Sequence, residues 1–150
     1  MAEHYKTLSA IFPIILKCDG GSRKILLHKR QNTGYQDGKW DIAGSGHVDA
    51  GEPARSAAAR ECKEELGIVV QVEDLSFAHL SHRFSTDRVY YDIYFTVNQY
   101  SGTPSIMEPD KCSELVWFEM DDFPVDIIEC RREDLQNFAK GVFYSEKTER

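Results

Sequence analysis

GHVDAGEPARSAAARECKEELGI, residues 46–68, changes character midway: a glycine-rich turn gives way to a helix. Pro53 suits the first helical turn, where its missing N–H would have no partner anyway. Gly67 suits the far end, because a left-handed residue commonly closes a helix. Ala54, Ala57, Ala58, Ala59, Glu64, Glu65 and Leu66 between them are good helix formers. Glu61, Glu64 and Glu65 stand at i, i+3 and i+4, so their carboxylates share one side of the helix. Ala54, Ala58, Cys62 and Leu66 form the apolar stripe, and Glu65 falls close to it by helical angle. Like charges at this spacing cost about 0.2–0.5 kcal/mol per pair. A partly buried anion costs more unless it is paired or coordinates a metal. One reading is an acidic, solvated helix face. The other is a site for a divalent cation, and hard oxygen ligands with room for water and phosphate suit Mg²⁺.

The preceding loop favours the cation. Gly44, Gly46 and Gly51 permit tight turns and a close backbone approach, and Glu52 adds an acid at the helix start. The residues follow the pattern G-x5-E-x7-R-E-U-x-E-E-x-G-U, where U is bulky and apolar. Gly46, Glu52, Arg60, Glu61, Glu64, Glu65, Gly67 and Ile68 all fall in register, with Cys62 as the soft departure at the first U. On these residues the chain resembles the Nudix hydrolases of the MutT-like type. Many members carry Pro-Gly-Gly ahead of the box. This chain has Gly44-Ser45-Gly46, which leaves every acid in place.

At 150 residues the chain, residues 1–150, reads as a single domain with a sizeable core. A net charge of −7 argues against a nucleic-acid polymer as partner. A nucleotide remains compatible, because a metal can bridge its phosphates to an acidic site. Cys18, Cys62, Cys112 and Cys130 are scattered without a CxxC pair, which favours reduced thiols over a disulfide framework. No stretch reaches the apolar length of a membrane span or a signal peptide, so a cytoplasmic protein is expected.

Thr7–Lys17 reads as a strand with Pro13 at an edge or bulge, followed by a turn at Asp19–Ser22 and a strand from Lys24 to Arg30. Gln31–Lys39 is a polar loop, and Trp40–Ile42 is a short strand leading into the box. After it come strand-like Ile68–Val72, strands Leu75–Arg83 and Val89–Tyr100 joined by a turn at Phe84–Arg88, a loop Gly102–Lys111 and a strand Leu115–Phe118. Arg132–Gly141 has helical spacing, and the charged tail Ser145–Arg150 is expected to fray. This pattern is α/β. The resemblance implies a Nudix-type α/β/α sandwich with a mixed β-sheet and the box as loop–helix–loop.

The resemblance also implies a chemistry: hydrolysis of a diphosphate linkage in a small nucleotide, with Mg²⁺ as cofactor and Mn²⁺ able to replace it. Glu61, Glu64 and Glu65 would coordinate the metal, with a backbone carbonyl from the Gly44–Gly46 loop, and Glu61 would be the general base. Arg60 would orient a glutamate through a charge-assisted hydrogen bond. Glu52 is an acid behind the metal ligands or a cap on the loop. Glu108 is a further metal ligand, as in the triphosphate branch, or a solvated loop acid. Arg30 is a phosphate clamp or a surface arginine, and Gly44 and Glu52 are counted with it near the substrate. His79 and His82 are three apart, so a regular strand would point them to opposite faces. His47 is given no role. Tyr35, Trp40, Phe84 and Tyr91 are candidates for stacking on a base, against the commoner core role of such aromatics.

Markers of the ADP-ribose, dinucleoside polyphosphate and coenzyme A branches are missing around residues 84–86 and 27–32. A nucleoside triphosphate, canonical or oxidised, is the expected substrate. ADP-ribose or a nucleotide sugar is the alternative, ahead of a non-catalytic nucleotide sensor. Monomer and homodimer are both compatible with the sequence.

Overall fold

The computed structural model describes residues 3–149. Nine strands and two helices follow in the order β1 (Leu8–Ile14), β2 (Leu16–Asp19), β3 (Ser22–Arg30), β4 (Trp40–Ile42), β5 (Gly46–His47), α1 (Ala54–Leu66), β6 (Leu75–Ser85), β7 (Val89–Val97), β8 (Cys112–Glu119), α2 (Glu129–Ala139) and β9 (Tyr144–Glu149). One mixed sheet has the order β5-β1-β7-β6-β9, with β1–β7 and β6–β9 parallel. In the second, β8 pairs along one edge of β3, while β2 and β4 divide the other.

Strand β1 explains the layering. Its apolar run is buried on both faces, as a central strand demands. Ile11, with Ile15 just beyond it, packs with Ala57, Ala58, Cys62 and Leu66 of α1. Ala10, Phe12 and Ile14 face the opposite core with Tyr94, Ile127 and Leu135 of α2. The sheet is therefore sandwiched between two helices, as expected.

The details correct several expectations. The Thr7–Lys17 strand breaks at Ile15, and Pro13 sits past the two residues that β5 pairs. Its missing N–H thus costs no bond to that strand. Residues 68–72 form only a bridge, Val69 to Ser101, before a 3-10 turn at Val72–Asp74. The second helix begins three residues earlier than its spacing suggested. The charged tail does not fray: Tyr144–Glu149 adds a parallel strand beside β6, while Arg150 lies outside the described residues. No helix among the described residues is long and apolar enough to cross a membrane.

Candidate active site

Helix α1 starts at Ala54 with Pro53 as its cap residue, and Gly67 closes it in the left-handed conformation at φ 70°. These ends hold the acids against a cleft of about 1040 Å³ that runs between the two sheets. Glu61, Glu64, Glu65 and Glu108 all line it, as do Gly46 and Arg30. The loop bearing Glu108 is pinned to the end of α1 by Ser105 N–H to Leu66 C=O (3.0 Å) and Met107 N–H to Glu65 C=O (3.2 Å).

Arg60 organises the box. Its Nε and Nη2 donate to Glu52 at 2.8 and 3.0 Å, its Nη1 to Glu61 at 2.8 Å and to Glu64 at 3.2 Å. Nη2 also reaches the His47 carbonyl at 3.1 Å. The arginine itself does not line the cleft. Its hydrogen bonds hold Glu52 down to about 2, helped by the Asp49 N–H that donates to the same carboxylate. Glu52 is thus the clasp of the loop and stands outside the cleft wall.

Gly44 also stands outside it. At φ +80° it makes a turn whose Cα packs between Pro13, Leu66 and Cys62, where a side chain would crowd. Gly46 is different, because a Cβ there would overlap the Glu61 side chain. The bare backbone lets Glu61 lie directly on β5.

Glu65 is the electrostatic anomaly. Burial pushes its carboxyl up to about 8, and Glu61, Glu108 and Asp41 add repulsion. Its Oε2 is buried with no hydrogen-bond partner among the described residues. Burial likewise raises Glu61 above the usual carboxylate range, against the pull of Arg60. Among the described residues no three His, Cys, Asp or Glu side chains converge into a finished metal cage. The donor set is nonetheless right for a hard cation: carboxylates at the cleft wall, one with an orphaned oxygen.

Arg30 ends β3, as expected, and donates to the Tyr35 carbonyl (2.8 Å) and Thr33 hydroxyl (3.0 Å). Of the aromatics singled out, Tyr35 lines the cleft, Trp40 is in the core, Phe84 is half exposed, and Tyr91 stacks on His82. His79 is fully buried, bonded to Val142 C=O and Ser145 Oγ, and neither it nor His82 reaches the cleft. The strand bulge precedes both, so they keep opposite faces. His47, given no role, lies on the cleft with its Nε2 3.2 Å from Tyr90 Oη.

Sequence reasoning missed a buried charged network at the cleft's inner wall. Arg131 on α2 donates from Nε to Asp41 (2.8 Å) and from Nη1 to Asp92 (3.3 Å) and Tyr94 Oη (3.1 Å). Arg83 on β6 grips Asp92 through Nε (2.9 Å) and Nη2 (3.2 Å). Burial alone would raise Asp41, but Arg131, His28 and the Ile42 N–H outweigh it and hold it charged. The only signal in the sequence was an acid within each of two apolar strands, Asp41 and Asp92, which must find cations to be buried.

Comparisons with known proteins agree with this geometry. The NUDIX domain profile matches residues 9–140. The chain is 34% identical over 103 residues to the CTP pyrophosphohydrolase of Escherichia coli K12, covering 69% of this chain and 70% of that protein. The crystal structure of a MutT NUDIX hydrolase from Burkholderia pseudomallei superposes with a TM-score of 0.75 at 28% identity, over 88% of this chain and 98% of that one. The solution structure of the E. coli ORF135 protein gives 0.72 at 27% identity, over 90% of each. With the family profile spanning most of its length, and the box acids gathered on one cleft, the chain belongs to the Nudix hydrolases, enzymes that cleave diphosphate linkages.

Proposed function

We propose that the protein hydrolyses a nucleoside triphosphate to the monophosphate and pyrophosphate, with Mg²⁺ as cofactor and Mn²⁺ able to replace it. The observation that carries the metal-dependent chemistry is the buried, unpartnered Oε2 of Glu65 beside Glu61 and Glu108. The triphosphate is favoured by the 34% identity to a CTP pyrophosphohydrolase.

Glu61, Glu64 and Glu65 would hold the cation, with Glu108 and the Gly46 backbone in reach of the same cleft. When bound, a divalent cation neutralises phosphate charge and lowers the pKa of a coordinated water. Glu61 takes the proton of the attacking water. A new P–O bond forms to the water oxygen, the bridging P–O bond breaks, and its electron pair leaves on pyrophosphate. The raised affinity of Glu61 for a proton, caused by burial, suits this role. Arg60 fixes the Glu61 carboxylate without touching substrate. Arg30 faces the cleft as a cation for the phosphates. Four free cysteines fit a reducing compartment, in keeping with a cytoplasmic setting.

The test is a Mg²⁺-dependent panel of canonical and oxidised nucleoside triphosphates, ADP-ribose and nucleotide sugars, with product identity determined. Pyrophosphate release from triphosphates is expected. Mononucleotide release from ADP-ribose or a nucleotide sugar alone would replace the triphosphate by that class. Glu64→Gln and Glu65→Gln should abolish turnover while the fold persists, and full activity in both would remove the metal assignment.

A further inference from the structure

Strand β9 lies beyond residue 140, where the family match ends, yet it brings Glu149 onto the cleft. In the sheet order β5-β1-β7-β6-β9 the cleft is lined in turn by Gly46, Phe12, Tyr90, Arg83 and Glu149. Four steps of about 4.8 Å place the outer two strands about 19 Å apart. Glu61 stands against Gly46 at one end. The cleft thus leaves room for a nucleotide whose phosphates lie beside the α1 acids to extend its base toward Arg83 and Glu149.

Arg83 is immobilised there. Two of its nitrogens are bound to Asp92, and its guanidinium lies 4.3 Å from the centre of the Tyr90 ring. Its Nη1 is left pointing at Tyr35 Oη (3.4 Å) and Glu149 Oε2 (3.7 Å). Both distances are long for a hydrogen bond from a charged donor, so this donor is underused. Glu149 keeps 39% of its side chain exposed, with carboxylate lone pairs to spare. A fixed donor thus stands beside an acceptor, with Tyr35 adjoining.

Resting on the triphosphate reading, we propose that Glu149 is a specificity-determining residue: its carboxylate accepts from the exocyclic amino group of the nucleobase while Arg83 Nη1 donates to the neighbouring ring atom. Cytosine presents that pattern through its 4-amino group. Uracil presents a carbonyl oxygen at the same position, which would face the carboxylate and be repelled. A plain surface ion pair to Arg83 would have no such selectivity.

The test compares wild type with Glu149→Gln and Glu149→Ala. The ratio of kcat/KM for CTP over UTP should fall about 10- to 100-fold in Glu149→Ala, the worth of a hydrogen bond to a charged group. The change should reside in KM, with thermal melting unaltered. Equal loss on both substrates, or an unchanged ratio, overturns the inference. Calorimetric binding of CMP and UMP reads the same preference without turnover. If wild type hydrolyses no triphosphate, that reading fails separately, and CMP and UMP binding still decides the role of Glu149. Equal affinity for the two would refute it.

Discussion

Glu65 and Gly46 show how a single position governs the site. Glu65 is a carboxylate forced into burial, and its folded-state pKa of about 8 lies above the unfolded value. Its neutral form is favoured on folding, so its contribution is fully present below about pH 4.5 and is lost as pH rises through about 8. Metal-free protein should therefore melt at progressively lower temperature between pH 5 and 8. Glu65→Gln should flatten that dependence, and a parallel profile for both proteins would contradict it. Gly46→Ala acts differently, because the new methyl group displaces only the flexible end of Glu61. The fold should persist while kcat falls by about 10²-fold, the usual cost of misplacing a reacting group by an ångström. Activity assays alongside circular dichroism separate the two effects.

At the level of elements, α1 is held by a narrow apolar stripe made mostly of small residues. Ala57, Ala58, Cys62 and Leu66 are its buried residues, and Leu66 is the only large one. Leu66→Ala should cost about 2–5 kcal/mol, measured by urea denaturation. Cofactor affinity should suffer as well, since Glu65 precedes Leu66 and the Glu108 loop bonds to its carbonyl. This helix was legible in the sequence because its caps, its propensities and its acids all agree. The loop residues Gly44 and Glu52 were harder to place. Spacing brings them near the box, but only the folded turn reveals that one packs on Leu66 and the other clasps Arg60. Strand β9 was illegible for a physical reason. Its sequence is polar and charged, and what recruits it is pairing with β6 and the grip of Lys147 on Asp134 at 3.1 Å.

On the scale of the whole molecule, the chain spends buried charge to join distant parts. Asp41 on β4 and Asp92 on β7 meet Arg131 of α2, which is almost fully buried, and Asp92 ties in Arg83 of β6. Arg131→Met would leave Asp41 without its closest cation, at a cost of about 3–5 kcal/mol, read as a lower denaturation midpoint. No local pattern announces such a network. Arg131 lies in a run of charged residues, Glu129–Asp134, that looks solvated. The overall sandwich, by contrast, followed from the alternation of apolar strands with two helices.

Two neighbouring loops that line the cleft, leaving the paired ends of β3 and β8, are sewn together. Gln31 donates from its backbone to Lys111 C=O (3.0 Å) and from its side chain to Pro109 C=O (2.7 Å), and the Asn32 amide reaches Asp110 C=O (3.0 Å). Tyr35 belongs to one loop and Glu108 to the other. Joined at three points, the loops form one hydrogen-bonded unit, so what steadies Tyr35 should also steady the carboxylate some seventy positions downstream. Cutting one stitch by Asn32→Ala should therefore raise amide exchange across both segments together, rather than in the mutated one alone.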